Sequence, residues 1–129
     1  MKTELRIGNW VMLSGKPCQV QTVGMWVHTD TTVDEVPIES IEAIPLSEEW
    51  LRMFGFRKSR LAGYDRHFQY HHPKLNNPIT ALYNADFSMN LDGRARVLKH
   101  VHQLQNAFFV IADEELTLTG NPDRKTIEL

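Results

Sequence analysis

The middle of the chain holds its most constraining segment, Ser47-Glu48-Glu49-Trp50-Leu51-Arg52-Met53-Phe54-Gly55. Ser47 is built to accept a hydrogen bond from a backbone N–H left free in the first turn of a helix. Glu48 and Glu49 fall at the positive end of the helix dipole, and Gly55 suits the positive φ that ends a helix. Trp50, Leu51 and Phe54 share one apolar face. These features predict a helix of about two turns. On either side of it the pattern is that of short strands. The helix therefore links two β-rich stretches, and the chain must be built from small antiparallel sheets.

The first 46 residues read as β. Leu5, Ile7 and Trp10 to Leu13 form an apolar strand, and Ser14-Gly15-Lys16-Pro17 is a turn. Cys18, Val20 and Thr22 alternate with Gln19, Gln21 and Val23, as in a half-buried strand. Met25 to Thr29 and Val33 to Val36 give two more strands. Pro37 opens one helical turn that places Ile38 and Ile41 on the same side, and Ala43, Ile44 and Leu46 form a fifth strand. This order suits a small SH3-like barrel; a plain antiparallel meander is the alternative.

After the helix, Tyr64, Arg66, Phe68 and Tyr70 alternate with polar residues over eight positions, which predicts a strand with an aromatic face. His72 to Pro78 is a loop. Ile79 to Tyr83, Asp86 to Asn90 and Arg94 to Lys99 are strands, the last two joined by the hairpin signal Asp92-Gly93. Val101, Leu104, Phe108 and Ile111 recur at helical spacing, predicting a helix over 100–112. Glu114 to Thr119 reads as a final strand, and 120–129 as a flexible tail. The expected fold class is α+β: a β-rich SH3-like barrel or meander over 1–46, then the linking helix, a small antiparallel sheet and one C-terminal helix over 47–119.

Charge is strongly segregated. Residues 30–49 hold seven acidic residues and no Lys or Arg. Residues 52–74 hold Arg52, Arg57, Lys58, Arg60, Arg66 and Lys74 against Asp65 alone. The net charge of −2 argues against general nucleic-acid binding, while the basic segment leaves room for a local site. No apolar run reaches the roughly 18 residues that span a bilayer. The charged start, Met1 to Asn9, lacks the apolar core of a signal peptide. With the single cysteine, Cys18, on an alternating apolar stretch, these features point to a buried thiol and a cytoplasmic protein.

The segments Ile7-Gly8-Asn9 with Gly15-Lys16, Pro45-Leu46-Ser47-Glu48-Glu49-Trp50-Leu51, and Val101-His102-Gln103-Leu104-Gln105-Asn106 stand together over residues 5–119. In this the chain resembles a widespread group of short, uncharacterised proteins of bacteria and their phages. The group often has Gly where this chain has Asp113, so the end of the last helix rests here on a residue that tolerates the left-handed region less readily than Gly. The resemblance implies a bacterial or phage origin and a cytoplasmic site, and no activity.

Six histidines raise the question of metal. No Cys pair or His-Glu-x-x-His spacing supports zinc, and on a helix His100 and His102 point about 200° apart. There is no Gly-x-Ser-x-Gly or phosphate loop, so no catalytic residue, metal ligand or cofactor is assigned. Trp10, Trp26 and Trp50 suit either an aromatic groove or the core. The expected function is that of a small non-enzymatic binding module, an accessory or host-modulating factor that meets a protein partner through Asp34, Glu35, Glu39, His102, Gln103 and Asn106. For His102 and Asn106, satisfying backbone groups of the neighbouring sheet is the competing structural role. The alternative function is a nucleic-acid-binding accessory that uses Arg57, Lys58, Arg60 and Arg66 to hold phosphates while neighbouring rings stack on bases.

Overall fold

The computed structural model describes residues 5–24, 26–32, 34–60, 67–82, 86–91 and 93–119. The expectations that fell on residues 1–4, Met25, Val33, Tyr64 to Arg66, Tyr83, Asp92 and 120–129 lie outside the described residues. The fold is α+β, with a curled four-stranded antiparallel sheet, a five-stranded antiparallel sheet and a C-terminal helix.

The first sheet runs β1 (Trp10–Leu13), β2 (Lys16–Thr22), β3 (Trp26–Thr29) and β4 (Val36–Pro37), paired in that order. Ser14 and Gly15 have φ of 51° and 79°, the two positive values of a tight hairpin whose twist matches its strands. The turn is thus shorter than the sequence suggested. Lys16 and Pro17 already belong to β2, with Pro17 opposite Met12. The pairing of β2 with β3 is confined to Val20 and Thr22, so the missing N–H of Pro17 breaks no bond there. The register shifts between Val20 and Thr22, and this irregularity bends the sheet.

The opening strand is also shorter than expected. Gly8 has a φ of 92°, and Asn9 Oδ1 accepts the Arg6 N–H at 2.6 Å, so a turn precedes Trp10. A 3-10 turn at Ile38–Ser40 follows Pro37, as expected. Glu42 then exchanges two backbone hydrogen bonds with Met12, at 2.8 and 2.9 Å, and so lies beside β1. The curl encloses Leu5, Val11, Cys18, Val20, Val27 and Ile41.

The expected fifth strand, Ala43 to Leu46, is not a strand. Its backbone bonds are divided: beyond Glu42, Ile44 accepts from Val101 N–H at 2.8 Å and Leu46 donates to Lys99 at 2.9 Å. Ile44 and Leu46 consequently enter a second core. α1 (Glu48–Met53) follows, capped by Ser47, which accepts from Trp50 N–H. Its end is closed by Gly55 N–H to Arg52 O and Phe56 N–H to Leu51 O, both 2.9 Å, with Gly55 at φ 92°. This is the paired-bond stop that a glycine allows.

The second sheet is a meander of β5 (Arg57–Arg60), β6 (His67–His71), β7 (Ile79–Leu82), β8 (Phe87–Leu91) and β9 (Arg94–Leu98). β5 escaped the sequence reading because its four residues, Arg-Lys-Ser-Arg, have no apolar face and are all exposed. Tyr70, Ile79, Ala81, Met89 and Leu98 are buried in one core with Leu51 and Phe54 of α1. α2 (Val101–Ala112) adds Val101, Leu104 and Phe108. Ile111, expected in that stripe, is exposed. At about 100° per residue it lies roughly 90° from the centre of the face set by Val101, Gln105 and Phe108.

Asp113 ends α2 with φ 57°, so aspartate does adopt the left-handed conformation there. Residues 114–119 form no strand. They run as a strap that buries Leu116 and ties Thr119 Oγ1 to Met53 O at 2.9 Å. Trp10 and Met12 of the curled sheet pack on the second core, and Trp10 meets Trp50 at 5.7 Å between ring centres.

Candidate functional site

The polar start of α2 is enclosed by the fold. Gln103 Oε1 accepts from the backbone N–H of Lys99 and His100, at 2.9 and 3.0 Å, which satisfies the N-cap donor and the one just before it. His102 has no exposed surface, and its ring stacks on His100. Gln105, also buried, grips β1: its Oε1 accepts from Trp10 N–H at 2.7 Å and its Nε2 donates to Gly8 O at 3.1 Å. Asn106 Oδ1 accepts from Arg6 Nε at 2.9 Å and Asn9 Nδ2 at 3.0 Å. Arg6 completes the joint by pairing with Glu115 and lying over the Phe109 ring.

This arrangement bears on three residues expected on an interaction surface. His102 is inaccessible, and Gln103 and Asn106 are engaged in capping and in joining α2 to the chain before β1. The sequence suggested His102 or Asn106 for satisfying the backbone of the neighbouring sheet; Gln105 satisfies it. Its buried position on the helical wheel, next to Val101 and Phe108, was the available signal.

Asp34, Glu35 and Glu39 are exposed and flank the two-residue β4. Across from β4 lies the finding that sequence alone left open. Trp26 is 54% exposed, whereas Trp50 is buried and Trp10 half-buried. In β3, Val27 and Thr29 point inward, so Trp26 and His28 face outward, with Trp26 directly opposite Pro37. The curled sheet thus presents a large aromatic ring beside a proline, on a strand with acidic residues before and after it. A second apolar area, Phe109, Val110 and Ile111, lies on the last turn of α2.

The basic residues are divided by the second sheet. Lys58 pairs with Glu48 at 2.7 Å and sits 4.2 Å from the Phe68 ring centre. Glu48 also pairs with Arg52 at 2.9 Å and accepts from Tyr70 Oη at 2.8 Å. Hydrogen bonds from Lys58 and Tyr70 hold the Glu48 carboxyl below its usual range, and burial beside that carboxylate pushes the Tyr70 phenol up. Lys58 is therefore tied into the fold. Arg57 and Arg60 are exposed on the edge strand β5, and the ring next to them in the chain, Phe56, is buried and closed to bases. The exposed Arg94 and Arg96 of β9, at the opposite edge of the same sheet, were not singled out.

His72 lies between the rings of Phe56 and Phe108, at 5.1 and 4.9 Å, and its Nδ1 accepts the Lys74 N–H. Burial and the nearby Lys74 ammonium lower its pKa. Two open clefts of about 210 and 240 Å³ flank the 114–119 strap. Both are smaller than the roughly 300 Å³ at which ligand sites begin. Among the described residues, no group of three or more His, Cys, Asp or Glu converges on a point that could hold a metal ion. No described helix is long and apolar enough to cross a membrane. The chain matches no protein-family model, no curated protein and no solved structure.

Proposed function

We propose that this protein is a non-enzymatic binding module that docks a basic segment of a protein partner on the outer face of its curled sheet. The observation that carries this reading is Trp26, 54% exposed beside Pro37. A tryptophan left in water on a rigid strand forgoes roughly 2–3 kcal/mol of burial, and interface hot spots are enriched in this residue. The flanking Asp34, Glu35 and Glu39 favour a partner rich in Lys and Arg, which would be steered toward the ring electrostatically. We read the curled sheet as SH3-like, a reading supported by its four short strands, the 3-10 turn and the return of Glu42 beside Met12. The resemblance to short proteins of bacteria and phages supports a cytoplasmic accessory or host-modulating role.

The test uses immobilised protein and two pools of peptides of equal length, one rich in Lys and Arg and one rich in Asp and Glu. The basic pool is retained at low salt. Trp26→Ala weakens the tightest peptides by about 30-fold, as expected for a hot spot worth about 2 kcal/mol. Glu35→Lys with Glu39→Lys abolishes retention. Equal retention of both pools, or peptide binding indifferent to Trp26→Ala, refutes the proposal.

A further inference from the structure

We infer that a second copy of this chain docks on the exposed face of α2, the two helices lying antiparallel across a two-fold axis beside Ala107. The first observation is the composition of the helix. α2 contains no Asp, Glu, Lys or Arg, in a chain where 23% of residues are charged. A helix with one face in water ordinarily carries charge on that face. At about 100° per residue, Gln103, Ala107 and Val110 form a stripe facing away from the buried Val101, Gln105 and Phe108. Val110 is 79% exposed, and the exposed Ile111 borders the stripe on one side. On the other side Arg6 lies over the Phe109 ring. Three consecutive apolar residues in water at the end of one helix are the mark of a contact surface.

The second observation is the charge at the two ends of α2. The helix dipole favours acidic residues at the start of a helix and basic ones at its end. Here the order is reversed. Lys99 precedes the first turn, and Asp113, Glu114 and Glu115 follow the last. Glu114 and Glu115 are compensated by Lys74 and Arg6. Lys99 and Asp113 are exposed and have no ion pair among the described residues. They stand seven residues on either side of Asn106, at the middle of the helix. A two-fold axis there brings the Lys99 of each copy to the Asp113 of the other and sets the two dipoles head to tail. The small Ala107 lets the helices approach, and each Val110 packs on the stem of the opposite Gln103. This self-complementary pattern selects a second copy. A membrane surface would call for Lys and Arg on the polar face of the helix, and α2 has neither. The stripe is about 18 Å long and about 10 Å wide, less than the roughly 800 Å² per partner of a standard interface, so the dimer is weak and exchanging.

The test is sedimentation velocity of the full chain from about 10 µM to 1 mM, the range in which so small an interface fills. The mean mass rises from that of one chain toward that of two. Val110→Asp stays monomeric throughout, and circular dichroism shows it folded, as the exposure of this side chain allows. Lys99→Gln and Asp113→Asn each weaken the dimer by about fivefold, since each removes two exposed ion pairs. The double variant is no weaker than either alone, because both changes remove the same contact. Trp26→Ala leaves dimerisation unchanged, and Val110→Asp leaves the retention of basic peptides unchanged, so this inference and the peptide-docking proposal fail separately. A monomer at every concentration, which would leave the stripe to a foreign partner, overturns the inference. So does a dimer that persists in Val110→Asp, or a double variant in which the losses at Lys99 and Asp113 add.

Discussion

Gln105→Met removes the grip of α2 on β1 while nearly preserving side-chain volume, so the packing term stays below about 1 kcal/mol. The hydrogen-bond term is larger. The N–H groups of Trp10 and Met12 both leave β1 on the side away from β2. Met12 is satisfied by Glu42, and Trp10 by Gln105 alone among the described bonds. Orphaning that donor costs about 1–3 kcal/mol. Gly8 O keeps its bond from Gln19 Nε2 at 3.1 Å, so losing the second contact adds only about 1 kcal/mol. The expected loss is about 2–4 kcal/mol, or a fall in Tm of roughly 8–16 °C for a chain of this length. Urea titration and thermal melting, both followed by circular dichroism, measure it. A variant within about 0.5 kcal/mol of the wild type would refute the claim that this side chain holds the two parts together.

Two further outcomes follow from a half-buried and a buried titratable group, His72 and Cys18. The folded-state pKa of His72 lies below its ordinary value of 6.5, so the unfolded chain takes up the proton first. Its contribution to stability is complete above that value and is lost as pH falls through it toward the folded pKa. Urea midpoints taken from pH 8 to pH 5 should therefore decline less steeply in His72→Gln, and an identical decline would dismiss the effect. Cys18 is fully buried and burial raises its thiol pKa, so a thiol reagent at neutral pH should label it only in urea; prompt labelling of the native protein would contradict the buried assignment.

The local elements were legible where chemistry is local. Ser47 and Gly55 bounded α1 because a hydroxyl cap and a positive φ act within a few residues. The Asp113 stop shows the limit of such reading, since aspartate takes there a conformation for which glycine is the usual choice. β5 was illegible because an edge strand made of Arg, Lys and Ser carries no burial pattern, and only pairing with β6 makes it a strand. Residues 43–46 and 114–119 look like strands by composition. In the structure, the first divides its backbone bonds between two neighbours, and the second anchors through Leu116 and Thr119.

The candidate surfaces divide in the same way. The acidic run at 30–49 and the basic one at 52–74 are properties of the sequence, because charge order along a chain survives folding. The exposure of one tryptophan of three, the enclosure of His102, and the placing of Arg57 and Arg60 at one edge of the second sheet with Arg94 and Arg96 at the other were decided by tertiary structure. Each depends on which groups meet across long stretches of chain. Sequence determines the charges and the elements that local signals bound; the partner that each side chain finds, including the 95-residue reach from Gln105 to Trp10, is set only when the sheets and helices pack.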